Sequence, residues 1–380
     1  MEPEALTIGV EEEFQLLERG SGALVSRGRE VLATAKRLAG QARARGELAG
    51  EVQGELPLSQ VESATAVCTD LGQVRRQLTD LRSVLGRAAV AHGCELAASG
   101  SPPIVRVTDQ RADDQDPRFA AMLRAQGYLV DRQFIAGLHV HVGVPDRDRA
   151  VAVLDRTRPW LPVLVALAAN SPYWLGVDTD FASYRTVHWG RWPVAGAPPV
   201  FGDAAGYDDA GSALIATGAI GDIGQLYWQA RLSARFPTVE LRACDVPLSV
   251  DDSVALTGLG RALVRRALAD LDAGVPAPGV RAEVLRAANW RAARHGLGDC
   301  LVDPVSWVQR PAAEVVDMLV DYVRPALDER GDRPLVESFL ERVRIAGNGA
   351  EQQRAAYADG GLTAVARLLI RETVESRPES

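Results

Sequence analysis

Residues 6–17 read LTIGVEEEFQLL, a stretch in which side chains alternate with the period of a β-strand. In such a strand Glu11 and Glu13 leave the same face, about 6.5–7 Å apart along the backbone, while Glu12 shares the other face with apolar neighbours. Glutamate is a poor strand former, and adjacent carboxylates repel one another unless cations offset them. The stretch therefore predicts either a solvated strand face or carboxylates that bind metal ions.

Hydrophobic periodicity predicts further strands and helices along the chain. Period-two alternation indicates more strands, at 94–99, 134–144 and 236–244. Helical spacing of apolar residues indicates long helices, at 70–92 and 147–169. Proline and glycine mark loops, at 192–211 and 273–280, and the chain after them is mostly helical. Strands separated irregularly by long helices favour an α+β fold, and without a repeat or a clear linker we expect one domain, 1–380.

Composition excludes several classes of function. The chain has 42 basic and 50 acidic residues and a net charge of −8, which argues against nucleic acid or an anionic membrane surface as the main partner. Lys36 is the single lysine and lies in a helical stretch, so a P-loop or a Schiff-base mechanism is not expected. The four cysteines lack the spacing of a zinc ribbon or disulfide framework. No segment is typical of a signal peptide or a membrane span, and we expect a cytoplasmic protein.

A pair of histidines forms a second motif, GLHVHVGV at 137–144. His139 and His141 alternate with aliphatic residues, so both imidazoles leave one face of a half-buried strand. Such a pair is typical of metal ligands or substrate contacts, although hydrogen-bonded core histidines are the alternative.

Two further segments carry paired polar side chains. Glu55 and Glu62 stand seven residues apart, a weak signal alone, whereas Glu240 and Arg242 leave one face of the strand PTVELR. The second pair is either a simple ion pair or a metal ligand beside a phosphate-binding guanidinium. Oxygen-rich ligation with an imidazole fits Mg²⁺ or Mn²⁺ better than zinc, and these ions suit a nucleoside triphosphate.

Motifs in a fixed order resemble the carboxylate-amine ligase family, also called type 2 glutamate-cysteine ligase. They are GVEEE at 9–13, ELPLSQVESATAVC at 55–68, GLHVHVGVPD at 137–146, LAANSPYW with ASYR at 167–185, YWQARLSARFPTVELRACD at 227–245 and NWRAARHGL at 289–297. This resemblance covers most of the chain. It implies a glutamine synthetase-like catalytic domain, in which a curved antiparallel sheet forms a funnel with helices packed outside and ATP and Mg²⁺, or Mn²⁺, inside.

The resemblance also implies a reaction and roles for matched residues. An ATP-dependent ligase would convert a carboxylate, such as the γ-carboxylate of glutamate, to an acyl phosphate and then join it to cysteine or another small amine. The implied metal ligands form two groups: Glu13, Glu55 and Glu62 for one ion, and Glu11, His139 and Glu240 for the other. Arg242 would neutralise the transferred phosphoryl group, and Arg185 and Arg231 would grip substrate carboxylate or phosphate. His141 would orient either substrate or the metal ligand His139, and Glu12 would support the sheet through an ion pair.

One turn departs from the family pattern, and two other functions stay open. Where relatives show a Gly-Thr-His-Pro type of turn, this chain has Gly100-Ser101-Pro102-Pro103, so the resemblance leaves the acceptor amine open. A metal-dependent amidohydrolase that uses the histidine pair and the carboxylates would turn over without nucleotide. A non-catalytic relative that binds nucleotide or amino acid would release no ADP. Related folds often associate, so a homo-oligomer is possible for this chain.

Overall fold

A computed structural model describes residues 6–374 of the chain. The predicted first strand is confirmed as β1, and it is an internal strand of the main sheet in a fold that combines a sheet with helices. The strands are β1 (Ile8–Glu18), β2 (Glu51–Gly54), β3 (Gln60–Ala64), β4 (Cys94–Ala97), β5 (Gly137–Gly143), β6 (Tyr173–Trp174), β7 (Val177–Asp178), β8 (Ala230–Leu232), β9 (Thr238–Asp245), β10 (Cys300–Val302) and β11 (Gln309–Pro311).

The main sheet has the order β2-β3-β1-β5-β9-β8, and all its neighbouring strands are antiparallel. Two strands pair with the same edge of β1: β5 pairs with its first half, and β4 pairs with its second half. The strands β6 and β7 form one small hairpin, and β10 and β11 form another. The sheet is open, because β2 and β8 lie at opposite edges and do not pair.

Helices make up most of the remaining chain. They are α1 (Gly28–Ala44), α2 (Leu71–Ala91), α3 (Pro117–Gln126), α4 (Tyr128–Asp131), α5 (Arg147–Thr157), α6 (Leu161–Leu167), α7 (Tyr184–Trp189), α8 (Ala204–Ala216), α9 (Val250–Asp272), α10 (Ala282–His295), α11 (Ala312–Arg330), α12 (Arg333–Ala346) and α13 (Gly349–Val374). α13 is kinked at Gly360 and Gly361. Within residues 6–374, no helix is long and apolar enough to cross a membrane.

The helices differ from the sequence predictions at two places. The segment 147–169 is not one helix, because Pro159 lies in a 3₁₀ turn between α5 and α6, and Pro162 lies in the first turn of α6. The predicted loop at 192–211 ends early, since the Asp203 side chain accepts a hydrogen bond from Gly206 N at 2.8 Å and begins α8. The predicted helix at 70–92 is confirmed as α2, with Asp70 as its N-cap.

The sheet has one apolar face and one polar face. Val10, Val140 and Leu241 are buried and belong to the main hydrophobic core. The helix α9 packs closely on this face: a Cβ at Gly260 would lie 3.1 Å from Leu241 and 3.3 Å from Val140. Because side chains alternate along a strand, the acidic and imidazole residues of the same strands are left on the opposite face. That face positions the candidate site.

Glu12 lies on the helix side of the sheet, as the alternation predicts. Its carboxylate accepts two hydrogen bonds from Arg82 on α2, at 2.6 and 2.9 Å, and one from Ser253 Oγ on α9, at 2.6 Å. Both charged side chains are at most 1% exposed. The expected ion pair that supports the sheet is therefore confirmed, and it ties β1 to two helices.

Candidate active site

The polar face of the sheet lines a cavity of about 770 Å³. All ten candidate site residues from the sequence contribute to its wall. They are Glu11, Glu13, Glu55, Glu62, His139, His141, Arg185, Arg231, Glu240 and Arg242. These residues come from separate parts of the chain, so the fold brings all of the sequence candidates to one place.

Antiparallel register assembles one half of the site from β1, β3 and β5. Glu13 on β1 stands directly opposite Glu62 on β3, and Glu11 stands opposite His139 on β5. Directly opposed side chains lie close enough to interact, and two opposed carboxylates repel each other. The β1–β3 pair therefore concentrates negative charge, whereas the β1–β5 pair joins a carboxylate to an imidazole.

The other half comes from β5, β9 and β8. His141 stands opposite Glu240, and Glu240 in turn stands opposite Arg231. The pairing of β5 with β9 is irregular at His139, where the register shifts by one residue. A bulge of this kind redirects side chains locally. Arg242 thereby comes within 3.4 Å of His139, measured from its Nη1 to the imidazole Nδ1.

His139 has one ring nitrogen engaged and the other free. Its Nδ1 lies 3.1 Å from Glu11 Oε2, and its Nε2 lies 3.7 Å from Glu13 Oε1. The Nε2 atom is buried and has no hydrogen-bond partner in the described part of the chain. Burial and the neighbouring Arg242 guanidinium lower the pKa of His139 to about 4, so the imidazole is neutral at pH 7 and can offer a lone pair.

His141 is arranged in a similar way. Its Nδ1 lies 2.9 Å from Thr238 Oγ1, while its Nε2 lies 3.4 Å from Glu11 Oε1 and 4.0 Å from Glu240 Oε1. Within residues 6–374 this buried Nε2 atom has no hydrogen-bond partner either. A hydrogen bond at one ring nitrogen that leaves the other directed at carboxylates is typical of a histidine that binds a metal.

The carboxylates differ in their electrostatic surroundings. Burial and the nearby Glu55 raise the pKa of Glu13 to about 7 and that of Glu62 well above its ordinary value. Burial also acts to raise the pKa of Glu11, but His139 and His141 hold it below its ordinary value. The β1–β3 half of the site is therefore short of positive charge, which a divalent cation would supply.

Two groups of side chains offer ligand atoms that lie within 4.8 Å of one another. One group is Glu11, His141 and Glu240, and the other is Glu11, Glu62 and His139. This grouping differs from the one that the family resemblance implies, because Glu240 joins His141 and Glu11 belongs to both groups. Carboxylate oxygens with one imidazole in each group fit Mg²⁺ or Mn²⁺, and the free Nε2 atoms of both histidines fit such a role.

The arginines of the cavity are held in different ways. Arg242 is 9% exposed and forms an ion pair with Glu240. Arg231 donates to both Glu240 oxygens, at 2.7 and 3.2 Å, and to the carbonyl oxygens of Gly224 and Leu226. Burial acts to raise the pKa of Glu240, but Arg242 and Arg231 hold it below its ordinary value. The hydrogen bonds of Arg231 are thus used to hold Glu240 and a loop, whereas Arg242 keeps a buried Nε without a partner in the described chain.

Sequence reasoning missed an aromatic part of the cavity wall. Trp189, Trp192 and Tyr227 line it, with ring centroids 4.7 Å apart for Trp189–Tyr227 and 5.2 Å apart for Trp192–Tyr227. Gln133 also lines it, and its Oε1 accepts a hydrogen bond from Trp192 Nε1 at 3.0 Å. Tyr227 lies inside the YWQAR motif, which could have indicated it, but no spacing pattern links the other three.

The turn Gly100-Ser101-Pro102-Pro103 is buried and is not part of the cavity wall formed by the described residues. Ser101 donates from Oγ to the Tyr173 carbonyl at 2.7 Å, and Gly100 N donates to the Asn170 carbonyl at 3.0 Å. The turn that departs from the family pattern therefore lies outside the cavity wall, in the buried interior.

A family model described as glutamate-cysteine ligase family 2 matches residues 7–368 of the chain. The chain belongs to this family. As a member of glutamate-cysteine ligase family 2, it is an ATP-dependent carboxylate-amine ligase of the glutamate-cysteine ligase type.

Two full-length relatives agree with this membership. The chain is 41% identical over 370 residues to "Putative glutamate--cysteine ligase 2" of Rhodopirellula baltica, covering 97% of each protein. It is 45% identical over 373 residues to a protein of Frankia alni with the same name and the suffix 2-2, again covering 97% of each.

Solved structures support the fold. A glutamate-cysteine ligase from Francisella tularensis, solved with AMP, has a TM-score of 0.75 at 12% identity and covers 98% of this chain and 89% of that one. A bifunctional glutathione synthetase from Pasteurella multocida has a TM-score of 0.70 at 15% identity, and the chain spans 52% of its length. The glutamine synthetase-like fold expected for this family member is confirmed.

Proposed function

We propose that this ligase activates a substrate carboxylate as an acyl phosphate and then transfers the acyl group to a small amine. The observation that carries the proposal is the convergence of Glu11, Glu62, His139, His141 and Glu240 with Arg242 in one cavity. A carboxylate oxygen attacks the γ-phosphorus of ATP, and the bond to the β,γ-bridging oxygen breaks to release ADP. The amine nitrogen then attacks the acyl carbon, losing a proton, and inorganic phosphate leaves.

Mg²⁺ is the metal that we propose for the site, with Mn²⁺ as a substitute. Its ligands would be Glu11, His141 and Glu240 in one group, and Glu11, Glu62 and His139 in the other. When bound, Mg²⁺ would offset the charge of the ATP phosphates. We propose that Glu13 and Glu55 complete the acidic end of the site, where the carboxylates repel one another without a cation.

Arg242 is the group that we place against the transferred phosphoryl group. Its pKa lies above the ordinary value: burial alone would lower that pKa, but Glu240 and Glu13 more than offset the effect. The guanidinium therefore stays charged at a buried position, where a fixed cation stabilises developing negative charge more strongly than it would in water. Its ion pair with Glu240 fixes its orientation before substrate arrives.

For the substrates we propose an amino-acid carboxylate, the γ-carboxylate of glutamate first, and cysteine or another small amine as the acceptor. The names of the relatives support this pair. Arg185 is the cation that we place on a substrate carboxylate. Arg231 supports the site mainly through Glu240, because its guanidinium donates to both oxygens of that carboxylate.

An ADP-release assay tests the proposal. The protein is incubated with ATP, Mg²⁺ and a matrix of carboxylic acids and amines, and ADP is measured. Release that requires both an acid and an amine is expected. If no combination of acid and amine produces release, the ligase proposal is refuted. Metal-dependent hydrolysis of an amide in the absence of nucleotide would instead support the metal-dependent hydrolase.

Matched variants on one strand make the assay specific to the cavity. Glu13→Gln changes a carboxylate of β1 that lines the cavity, whereas Glu18→Gln changes one at the end of the same strand, outside it. Glu13→Gln is expected to abolish release, and Glu18→Gln to preserve it. Equal rates in the two variants would contradict the placement of the site.

A further inference from the structure

Asp245, the last residue of β9, is a buried carboxylate beside the active site that no step above uses. It is 1% exposed and accepts three hydrogen bonds, from Asn170 N at 2.8 Å, Ser171 Oγ at 2.7 Å and Ser183 Oγ at 2.8 Å. A buried carboxylate costs free energy unless it is bonded and paired with a cation. The cation that faces it is Arg185.

Arg185 is tied to Asp245 through both its side chain and its backbone. Its Nη1 lies 4.0 Å from Asp245 Oδ1, and its backbone N donates at 3.0 Å to Ser171 Oγ, which itself donates to Asp245. A third contact runs from Arg185 Nη2 to the carbonyl oxygen of Arg242, at 3.3 Å. Burial raises the pKa of Asp245, and Arg185 and Ser171 oppose that rise.

The backbone of β5 closes the other side of the guanidinium. A Cβ at Gly137 would lie 2.2 Å from Arg185 Nη2 and 2.7 Å from its Cζ, so the guanidinium packs directly on this glycine. Arg185 Nε is buried and lacks a hydrogen-bond partner among residues 6–374, while Arg185 itself lines the cavity. The guanidinium therefore has a fixed place and spare donor capacity.

The unusual turn lies on the far side of Asp245. A Cβ at Gly100 would lie 2.6 to 2.9 Å from three side-chain atoms of Asp245, and Gly100 N donates to the Asn170 carbonyl. Asn170 in turn donates its backbone N–H to Asp245. Asp245 thus connects the Gly100 turn, the start of α7 and the end of β9 to one arginine of the active site.

We infer that Asp245 is a positioning residue that holds Arg185 in place to bind the carboxylate of the acid substrate. This inference rests on the proposed ligase reaction. The Asp245 carboxylate supplies the counter-charge for Arg185 and, through Ser171, fixes the backbone from which Arg185 projects. Asp245 does not line the cavity, so its effect on substrate passes through Arg185.

Steady-state kinetics of Asp245→Asn test the inference, because this change keeps the size of the side chain but removes its charge. The KM for the acid substrate is expected to rise about tenfold to a hundredfold, the range for losing a hydrogen bond between charged groups. The KM for ATP and kcat are expected to change less than threefold. An unchanged KM for the acid would overturn the inference.

A double-mutant cycle separates positioning from a general effect of the substitution. If Asp245 acts through Arg185, then Asp245→Asn combined with Arg185→Ala will have the same KM as Arg185→Ala alone. Effects that multiply would overturn the inference. Asp155→Asn is the matched control, since Asp155 is also buried and accepts backbone hydrogen bonds, but from Phe201 and Gly202, which do not line the cavity. Its KM for the acid is expected to match that of the unchanged protein.

Two further measurements keep the test decisive. If Asp245→Asn does not fold, Ser171→Ala removes only the hydroxyl between Asp245 and the Arg185 backbone and should raise the same KM. A crystal structure of either variant without substrate is expected to show the Arg185 guanidinium displaced from Gly137. An unmoved guanidinium would refute positioning even if no acid and amine pair supports turnover. Absence of turnover in the unchanged protein would refute the proposed function alone.

Discussion

Replacing Glu12 with glutamine is expected to destabilise the protein without removing any group from the cavity. The Glu12 carboxylate pairs with Arg82 at 2.6 and 2.9 Å, and both side chains are at most 1% exposed. Removing one partner of a buried ion pair costs about 3–5 kcal/mol because the other charge stays buried. Arg82 also donates to the carbonyl oxygens of Leu248 and Pro247, which remain, so we expect the lower end, ~3 kcal/mol.

The adjacent substitution Glu13→Gln is expected to have the opposite effect on stability. The folded protein raises the pKa of Glu13 from 4.5 to about 7. Below pH 4.5 the carboxyl is protonated in both the folded and unfolded states, so there is no penalty, that is, no free-energy cost of burying an ionised Glu13 carboxylate. Between pH 4.5 and 7 the penalty grows, and above pH 7 it is complete, at ~3 kcal/mol from 1.36 kcal/mol per pKa unit. Glutamine resembles the protonated carboxyl, so the metal-free variant gains ~2–3 kcal/mol at pH 8 and little at pH 5.

Urea unfolding followed by tryptophan fluorescence, in the presence of a metal chelator, measures both effects. At pH 8 the midpoint of Glu12→Gln should fall below that of the unchanged protein, and the midpoint of Glu13→Gln should rise above it. Shifts of the same sign in the two variants would refute the assignment of the two carboxylates to opposite faces of β1. A Glu13→Gln gain that persists undiminished at pH 5 would refute its electrostatic cause.

Three further predictions concern the cavity itself. Arg242→Ala should lower kcat about 10²–10³-fold, as loss of a transition-state donor does, with an unchanged circular dichroism spectrum, and a near-normal kcat would refute its phosphoryl role. Thr238→Val should weaken Mn²⁺ binding by about tenfold in a calorimetric titration, because Thr238 orients His141, and unchanged affinity would refute that orientation. Metal binding at pH 7 should release protons, since the pKa of Glu13 is about 7 in the metal-free site. Calorimetric heats that do not depend on the ionisation enthalpy of the buffer would contradict that release.

Local properties of the chain were predictable from the sequence. The alternation of side chains in β1 places Glu11 and Glu13 on the cavity face and Glu12 against Arg82, as the period of two requires. Hydrophobic spacing likewise predicts α2. These features depend on residues that are close in sequence, so a single chain suffices to predict them.

Tertiary pairing was not predictable in this way. The pairing of β5 with β9 places His141 opposite Glu240, and the register shifts by one residue between Leu138 and Val140. No local pattern in the sequence signals such a shift. The aromatic wall depends on the position of α7 relative to the sheet, which places Trp189 beside Tyr227. The link between Asp245 and Arg185 likewise exists only after β9 and α7 have come together.

Transfer of oxygen from the acid substrate to phosphate tests the central claim most directly. The acid is labelled with ¹⁸O in its reacting carboxylate, and the inorganic phosphate formed with ATP, Mg²⁺ and amine is analysed by mass spectrometry. An acyl phosphate intermediate predicts one ¹⁸O atom in each phosphate released, because the attacking carboxylate oxygen leaves with the phosphorus. Amide formation accompanied by unlabelled phosphate would contradict the proposed chemistry of this cavity.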